Sequence, residues 1–322
     1  MNEEKEIRKY LRRSFRPLGW SLVGYYIIMN VLVVAAMAAD AAALALEAVQ
    51  NGHPVLPPDK LMNVASGNAW GYLLTIAVGM VILLGWKGWD FFRFEVFQKN
   101  GRMTLPVFLS LTCIFLGCQV SVSLYASVLE AVLNSFGLSA MAAMEMATIQ
   151  SDTVSMFLYA AIGAPIAEEL IFRGFVQRSL MPFGQKFAIF GAALLFGMFH
   201  GNLIQTPYAF LVGLVLGWVT AEYSVWWAVV LHMLNNMVLA DLIPRMLSSL
   251  PQMTQDAILG GILWIFAIAG AAILIAKRRE VKDYVTGECM DPRCLRGFFL
   301  NSGFLVLSVL MLVNMLLMVM PI

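Results

Sequence analysis

The sequence predicts an all-α, polytopic membrane helix bundle, and three observations carry that expectation. Of 322 residues, 60% are hydrophobic and only 13% are charged, where a soluble domain averages about a quarter charged. The mean hydropathy is +0.78. Several windows approach or exceed the roughly 20 apolar residues that a helix needs to cross a bilayer. These windows are continuously apolar and do not alternate with period two, which disfavours a membrane β-barrel.

Eight or nine transmembrane helices are expected, over 18–39, 70–86, 104–133, 154–180, 187–200, 208–222, 226–241, 258–276 and 298–320. The first reads as an anchor and not a cleaved signal. Its apolar run is too long for a signal core, and the leader before it contains Glu3, Glu4 and Glu6. Trp70, Trp86, Trp89, Trp226 and Trp227 fall near the expected edges, as interfacial aromatics do. The Met-rich stretch 141–156 reads as a lipid-facing lead-in to the fourth span. Three regions follow: N-terminal transmembrane helices over 1–153, a helical core over 154–245, and C-terminal transmembrane helices over 246–322 with a solvated loop at 277–297. The core has the shortest connections and holds the buried ionisable clusters. No internal repeat is visible.

Net charge is +1, but its placement is uneven. Lys5, Arg8, Lys9, Arg12, Arg13 and Arg16 precede the first span, and further basic clusters lie at 87–102, 173–186 and 277–282. The stretches 134–153 and 201–207 contain no Lys or Arg. The positive-inside rule then puts the N-terminus in the cytoplasm of a multi-pass protein of the cytoplasmic membrane. The expected surroundings are lipid bilayer, with no nucleic acid partner. Cys113 and Cys118 are five apart and point to different helix faces. Cys289 and Cys294 sit in the polar loop with no His nearby to complete a metal site. All four are expected to be free thiols.

Charged and strongly polar groups within spans are costly and are functional candidates for that reason. The fourth span carries Pro165, Glu168, Glu169 and Arg173, and Pro165 predicts a kink. Glu169 and Arg173 are four apart with the acid towards the N-terminus, the favourable orientation for a pair on one face. Glu168 points about 100° away around the helix and lacks a local cation. A carboxylate so placed can hold and deprotonate water. The alternative is a single salt-bridged knot that fixes packing. Phe196 and His200 share a face of the fifth span. His232 and Asn236 share a face of the seventh, giving two donors that could serve an oxyanion or a polar helix contact. At about 1.5 Å per residue all these positions fall in the middle of a core about 30 Å thick.

Glu168-Glu169-x-x-x-Arg173, Phe196-x-x-x-His200 and His232-x-x-x-Asn236, in that order, resemble the signature of the CPBP family of CAAX prenyl proteases and bacteriocin-processing enzymes, also called ABI proteins. The resemblance implies an intramembrane endopeptidase acting on a peptide or membrane-associated protein, such as a prenylated tail or a leader peptide. It implies that Glu168, assisted by His200, activates water, that His232 and Asn236 stabilise the oxyanion, and that Glu169 and Arg173 orient the site. Zinc held by Glu168, His200 and His232 is an alternative chemistry, although H-E-x-x-H is absent; a mechanism without a cofactor is preferred. A non-catalytic scaffold or immunity protein and an ion-coupled transporter using the same polar residues also stay open. The absence of repeated halves counts against transport.

Overall fold

A computed structural model describes residues 2–141, 153–287 and 290–321. The helices that matter here are α1 (Asn2–Gln50), α2 (Pro58–Ser66), α3 (Trp70–Lys87), α4 (Leu105–Asn134), α5 (Val154–Phe183) and α6 (Gln185–Phe199). They continue with α7 (Gln205–Glu222), α8 (Val225–Leu247), α9 (Gln252–Ala276), α10 (Arg278–Thr286), α11 (Pro292–Phe299) and α12 (Ser302–Leu317). The protein is an all-α, multi-pass membrane bundle. Among the described residues, the strands are two-residue pieces, Leu138–Ser139 and Met320–Pro321, paired antiparallel.

The number of spans is smaller than the eight or nine expected. Six helices, α1, α3, α4, α5, α8 and α9, are long and apolar enough to cross, and α11 with α12 makes a seventh if that pair, bent by 63°, is one span. Length explains α6: its 15 residues reach only about 22 Å, short of a hydrocarbon core of about 30 Å. Helix α7 is longer but opens on Gln205 and Thr206 and closes on Glu222, so polar ends shorten its apolar stretch. Two further expectations change. The charged leader is helical and continuous with α1, which runs far beyond 18–39. The segment 277–297 is not a plain loop, because it holds α10 and most of α11. The Met-rich stretch lies largely outside the described residues, as does Cys289. Cys113, Cys118 and Cys294 are free.

Burial separates the central helices from the peripheral ones. Within their apolar windows, α5 and α8 are each 39% buried, against 6% for α1 and for α9. The exposed side chains of α1 and α9 include many large apolar ones, which need no protein cover where a helix meets lipid. Helices α5, α6, α7 and α8 pack on one another, α4 packs on α7 and α9, and α1 packs on α2, α3, α11 and α12.

Small residues set these approaches, as they do where lipid is as apolar as the side chains and close van der Waals contact drives association. A Cβ on Gly117 of α4 would lie 2.8 Å from Ala267 Cα of α9. One on Gly197 of α6 would lie 2.7 Å from Thr206 O of α7, and one on Gly303 of α12 would lie 2.6 Å from backbone atoms of α1 at Gly19 and Trp20. In each case the obstacle is backbone, which cannot rotate away. Gly261 of α9, by contrast, has open space around it.

Gly197→Ala should therefore destabilise the protein by about 1–3 kcal/mol, the usual scale of overpacking. Gly261→Ala should be neutral or stabilising by up to about 1 kcal/mol through helix propensity. Thermal unfolding of both variants in detergent checks the contrast.

Candidate active site

Helix α5 is not a regular α-helix. Wider, π-helical turns occupy Tyr159–Gly163 and Leu170–Gln177, and the α-helical turn between them, Ala164–Glu169, carries Pro165, Glu168 and Glu169. Helix α8 changes in the same way at Leu234–Leu242, the turn that bears Asn235 and Asn236. Such turns are rare and concentrate at functional sites, because the extra residue re-aims side chains and frees backbone groups. The kink expected at Pro165 thus takes the form of widened turns on either side of it.

Glu169 is the centre of the arrangement. Its carboxylate is fully buried, with Oε2 3.1 Å from Arg173 Nε and Oε1 2.9 Å from His232 Nδ1. The arginine contact has ion-pair distance without hydrogen-bond alignment. Arg173 is fully buried too, donates from Nη2 to Gly213 O on α7 at 3.4 Å, and lies 4.2 Å above the Phe196 ring. One turn on, Gln177 donates from Nε2 to Gly217 O at 2.8 Å. Two polar groups of α5 therefore grip two carbonyls of α7 in register.

A carboxylate can only accept when ionised, so His232 Nδ1–H is the donor to Glu169. That contact turns Nε2 of the ring towards Glu168, whose Oε2 is 3.8 Å away. This separation is too long for a direct hydrogen bond and leaves both atoms able to contact a shared water. The Glu168 side chain is 33% exposed, whereas Glu169 is sealed. Glu168 also interacts electrostatically with His200, Tyr25 and Tyr159.

His200 sits at the end of α6, where Gly201 takes φ +65° and stops the helix. A side chain at 201 would also collide with the Asn314 amide of α12. The imidazole donates from Nδ1 to Phe196 O at 2.9 Å, since a carbonyl can only accept. The neutral ring then keeps Nε2 as an acceptor. Phe196 stands edge-on to both histidines, with ring centroids 4.8 Å from His200 and 5.9 Å from His232. The aromatic residue that shares a face with His200 in sequence thus contacts both imidazoles in space.

Asn236 donates from Nδ2 to Ala160 O at 3.0 Å, a carbonyl within the first widened turn of α5. Its Oδ1 accepts from Asn235 Nδ2 at 2.9 Å. One of its two amide hydrogens is left over. Behind it, Asn235 Oδ1 accepts from Gln119 Nε2 at 2.6 Å and from Tyr208 OH at 2.9 Å. Gln119 and Tyr208, like Tyr25 and Tyr159, were not singled out from the sequence. Gln119 had a signal, a lone amide in the apolar run of α4. The tyrosines had none, because Tyr is common in membrane helices. Among the described residues, no three His, Cys, Asp or Glu side chains group as ligands for one metal ion.

Residues 150–238 match the family model described as type II CAAX prenyl endopeptidase Rce1-like. The match covers a little over a quarter of the chain, and this segment is similar to that family. It contains every residue of the three motifs and both widened regions of α5, and the family it matches is of the CAAX protease group that the motifs resemble. The match implies intramembrane endopeptidase activity and a peptide or protein substrate in the membrane. No curated protein and no solved structure matches the chain.

Within the matched segment the two carboxylates differ in what their removal should do. Arg173→Gln strands the buried Glu169 charge and should cost about 3–5 kcal/mol of stability. Glu168→Gln alters a partly exposed group and should cost less than about 1 kcal/mol. Thermal unfolding in detergent measures both, and equal losses would show that Glu168 is as structural as its neighbour.

Proposed function

We propose that the protein is a glutamate-dependent intramembrane endopeptidase in which Glu168 is the general base. The observation that carries this reading is the unequal treatment of adjacent carboxylates. Glu169 is consumed by Arg173 and His232, while Glu168 is partly open and faces His232 Nε2 across a gap suited to water.

In the proposed reaction Glu168 takes a proton from that water, and the resulting hydroxide attacks the scissile carbonyl carbon. His200, whose Nδ1–H is committed to Phe196 O, accepts the second hydrogen of the water at Nε2 and so orients it. The carbonyl oxygen becomes an oxyanion, held by a doubly protonated His232, with Nδ1–H on Glu169 and Nε2–H on the oxyanion, and by the remaining amide hydrogen of Asn236 as the second donor. Collapse breaks the C–N bond, and Glu168 returns its proton to the leaving amine. Glu169 and Arg173 act through His232 and Phe196 and touch no reacting atom. The scheme uses no metal; a zinc site of Glu168, His200 and His232 would need three ligands converging on one point, and the contact within 4 Å is between Glu168 and His232.

Peptide cleavage by purified protein in lipid vesicles tests this reading. Glu168→Gln should lose about 10²–10⁴-fold in rate, the usual contribution of a general base. Asn236→Ala should lose about 10²-fold or more, the scale of one oxyanion donor. Glu168→Gln should keep wild-type thermal unfolding to within about 1 kcal/mol, while Asn236→Ala, which also gives up the bond to Ala160 O, should cost about 1–3 kcal/mol. Cleavage by Glu168→Gln at the wild-type rate would reject the assignment. Folded protein that binds peptide without cleaving it would favour the scaffold.

A strong zinc chelator is expected to leave wild-type cleavage unchanged. Loss of activity that returns on adding Zn²⁺ would replace the proposed chemistry by a metal-dependent one. Capture of peptides on Glu168→Gln would then identify the substrate class, whether prenylated tail, leader peptide or membrane-anchored regulator.

A further inference from the structure

Lys5, Arg8, Lys9, Arg12, Arg13 and Arg16 recur at intervals of three and four along the start of α1. At 100° per residue they fall within an arc of roughly 140°. All six are exposed, and together with Asn301 and Ser302 they line a cleft of about 480 Å³. That volume is within the usual range of small-molecule sites.

The helix that carries the cleft is anchored by its other face. The adjacent face of α1 is apolar, and its Phe15 is 1% exposed. Phe15 packs on Phe183, Phe187 and Phe298, with ring centroids 4.7, 5.7 and 6.1 Å away. Its far wall is the start of α12, where the Asn301 side chain accepts from Gly303 N at 3.0 Å and donates to Arg12 O at 3.4 Å. The positive end of the α12 dipole adds to the field of the cations. Arg8 pairs with Glu4. Among the described residues, the other five cations make no ion pair. A concentration of unneutralised like charge is costly by itself, and an anion is what would offset it.

Position identifies the anion. Gly19 of α1 touches Gly303 of α12, and the half-exposed Trp20 donates from Nε1 to Ser302 Oγ at 3.2 Å. The apolar runs of α1 and α12 both begin at this level, so the cleft lies where headgroups meet the hydrocarbon boundary. Clusters of four to eight Lys and Arg beside a transmembrane helix attract anionic lipid at about 1 kcal/mol per cation. We propose that this cleft binds the phosphate headgroup of an anionic phospholipid, with the acyl chains running down the exposed flank of α1 and α12.

The test uses the full-length protein in phosphatidylcholine nanodiscs, titrated with dioctanoyl phosphatidic acid and read by native mass spectrometry. Binding should saturate, and Arg12→Gln/Arg16→Gln should weaken it by about tenfold or more. Lys5→Gln/Lys9→Gln, which alters two fully exposed side chains, should weaken it similarly and guards against misfolding of the first pair. Arg278→Gln/Arg279→Gln, equally basic but remote from the cleft, should leave it unchanged. Absence of saturation, or equal loss in the remote pair, would overturn the proposal. Equal binding of dioctanoylglycerol would show that the chains and not the phosphate are recognised. Displacement by inorganic phosphate at the same concentration as the lipid would assign the cleft to a soluble anion instead.

Discussion

Everything at the centre of this bundle depends on neutralising one fully buried carboxylate. Glu169 has no access to water, and an isolated charge in that position would cost far more than a fold of marginal stability can absorb. It survives because Arg173 approaches from one turn along the same helix and His232 from α8. These two contacts do more than balance charge. They fix the direction of the His232 ring, press Arg173 against Phe196, and bring α5, α7 and α8 into one register. Glu168 is then left without a close partner, since Arg173 and the Nδ1 side of His232 both serve its neighbour and the Nε2 side stands 3.8 Å off.

The close approach that makes this possible comes from small residues and irregular winding acting together. Gly213 and Gly217 expose α7 carbonyls to Arg173 and Gln177, and a Cβ at Gly213 would crowd Ala193 and Phe196 at 3.1 and 3.3 Å. The widened turns of α5 and α8 meet where Ala160 O accepts from Asn236. Each widened turn rotates the following side chains relative to a regular helix. His232 on α8 meets the acids on α5, Asn236 meets the first widened turn of α5, and Gln119 and Tyr208 brace Asn235 from outside.

The basic end of α1 is tied to this machinery by aromatic packing. Phe15 reaches Phe183, at the end of the helix that carries both acids, and Phe187, on the helix that ends at His200. A ligand that holds the start of α1 in place would also hold these contacts. Tyr25 on the same helix interacts electrostatically with Glu168, so α1 touches the domain at both its edge and its centre.

Much of this was legible in the chain. Composition and apolar run length settle an all-α membrane bundle, because no other backbone satisfies its hydrogen bonds in lipid apart from closed barrels. The i, i+4 spacing of Glu169 and Arg173 sets their pairing locally, and the cost of polar groups in apolar runs marks Glu168, His200, His232 and Asn236. Span number was overestimated because hydropathy cannot tell a lipid-crossing helix from a short apolar one sheltered by neighbours, as α6 is. Which imidazole faces Glu168, the contact of Phe196 with both rings, and the support from Gln119, Tyr208 and Asn235 depend on contacts between residues as many as 116 positions apart. Periodicity records only the face of a helix a residue occupies, and the rotation of one helix against another is decided by packing.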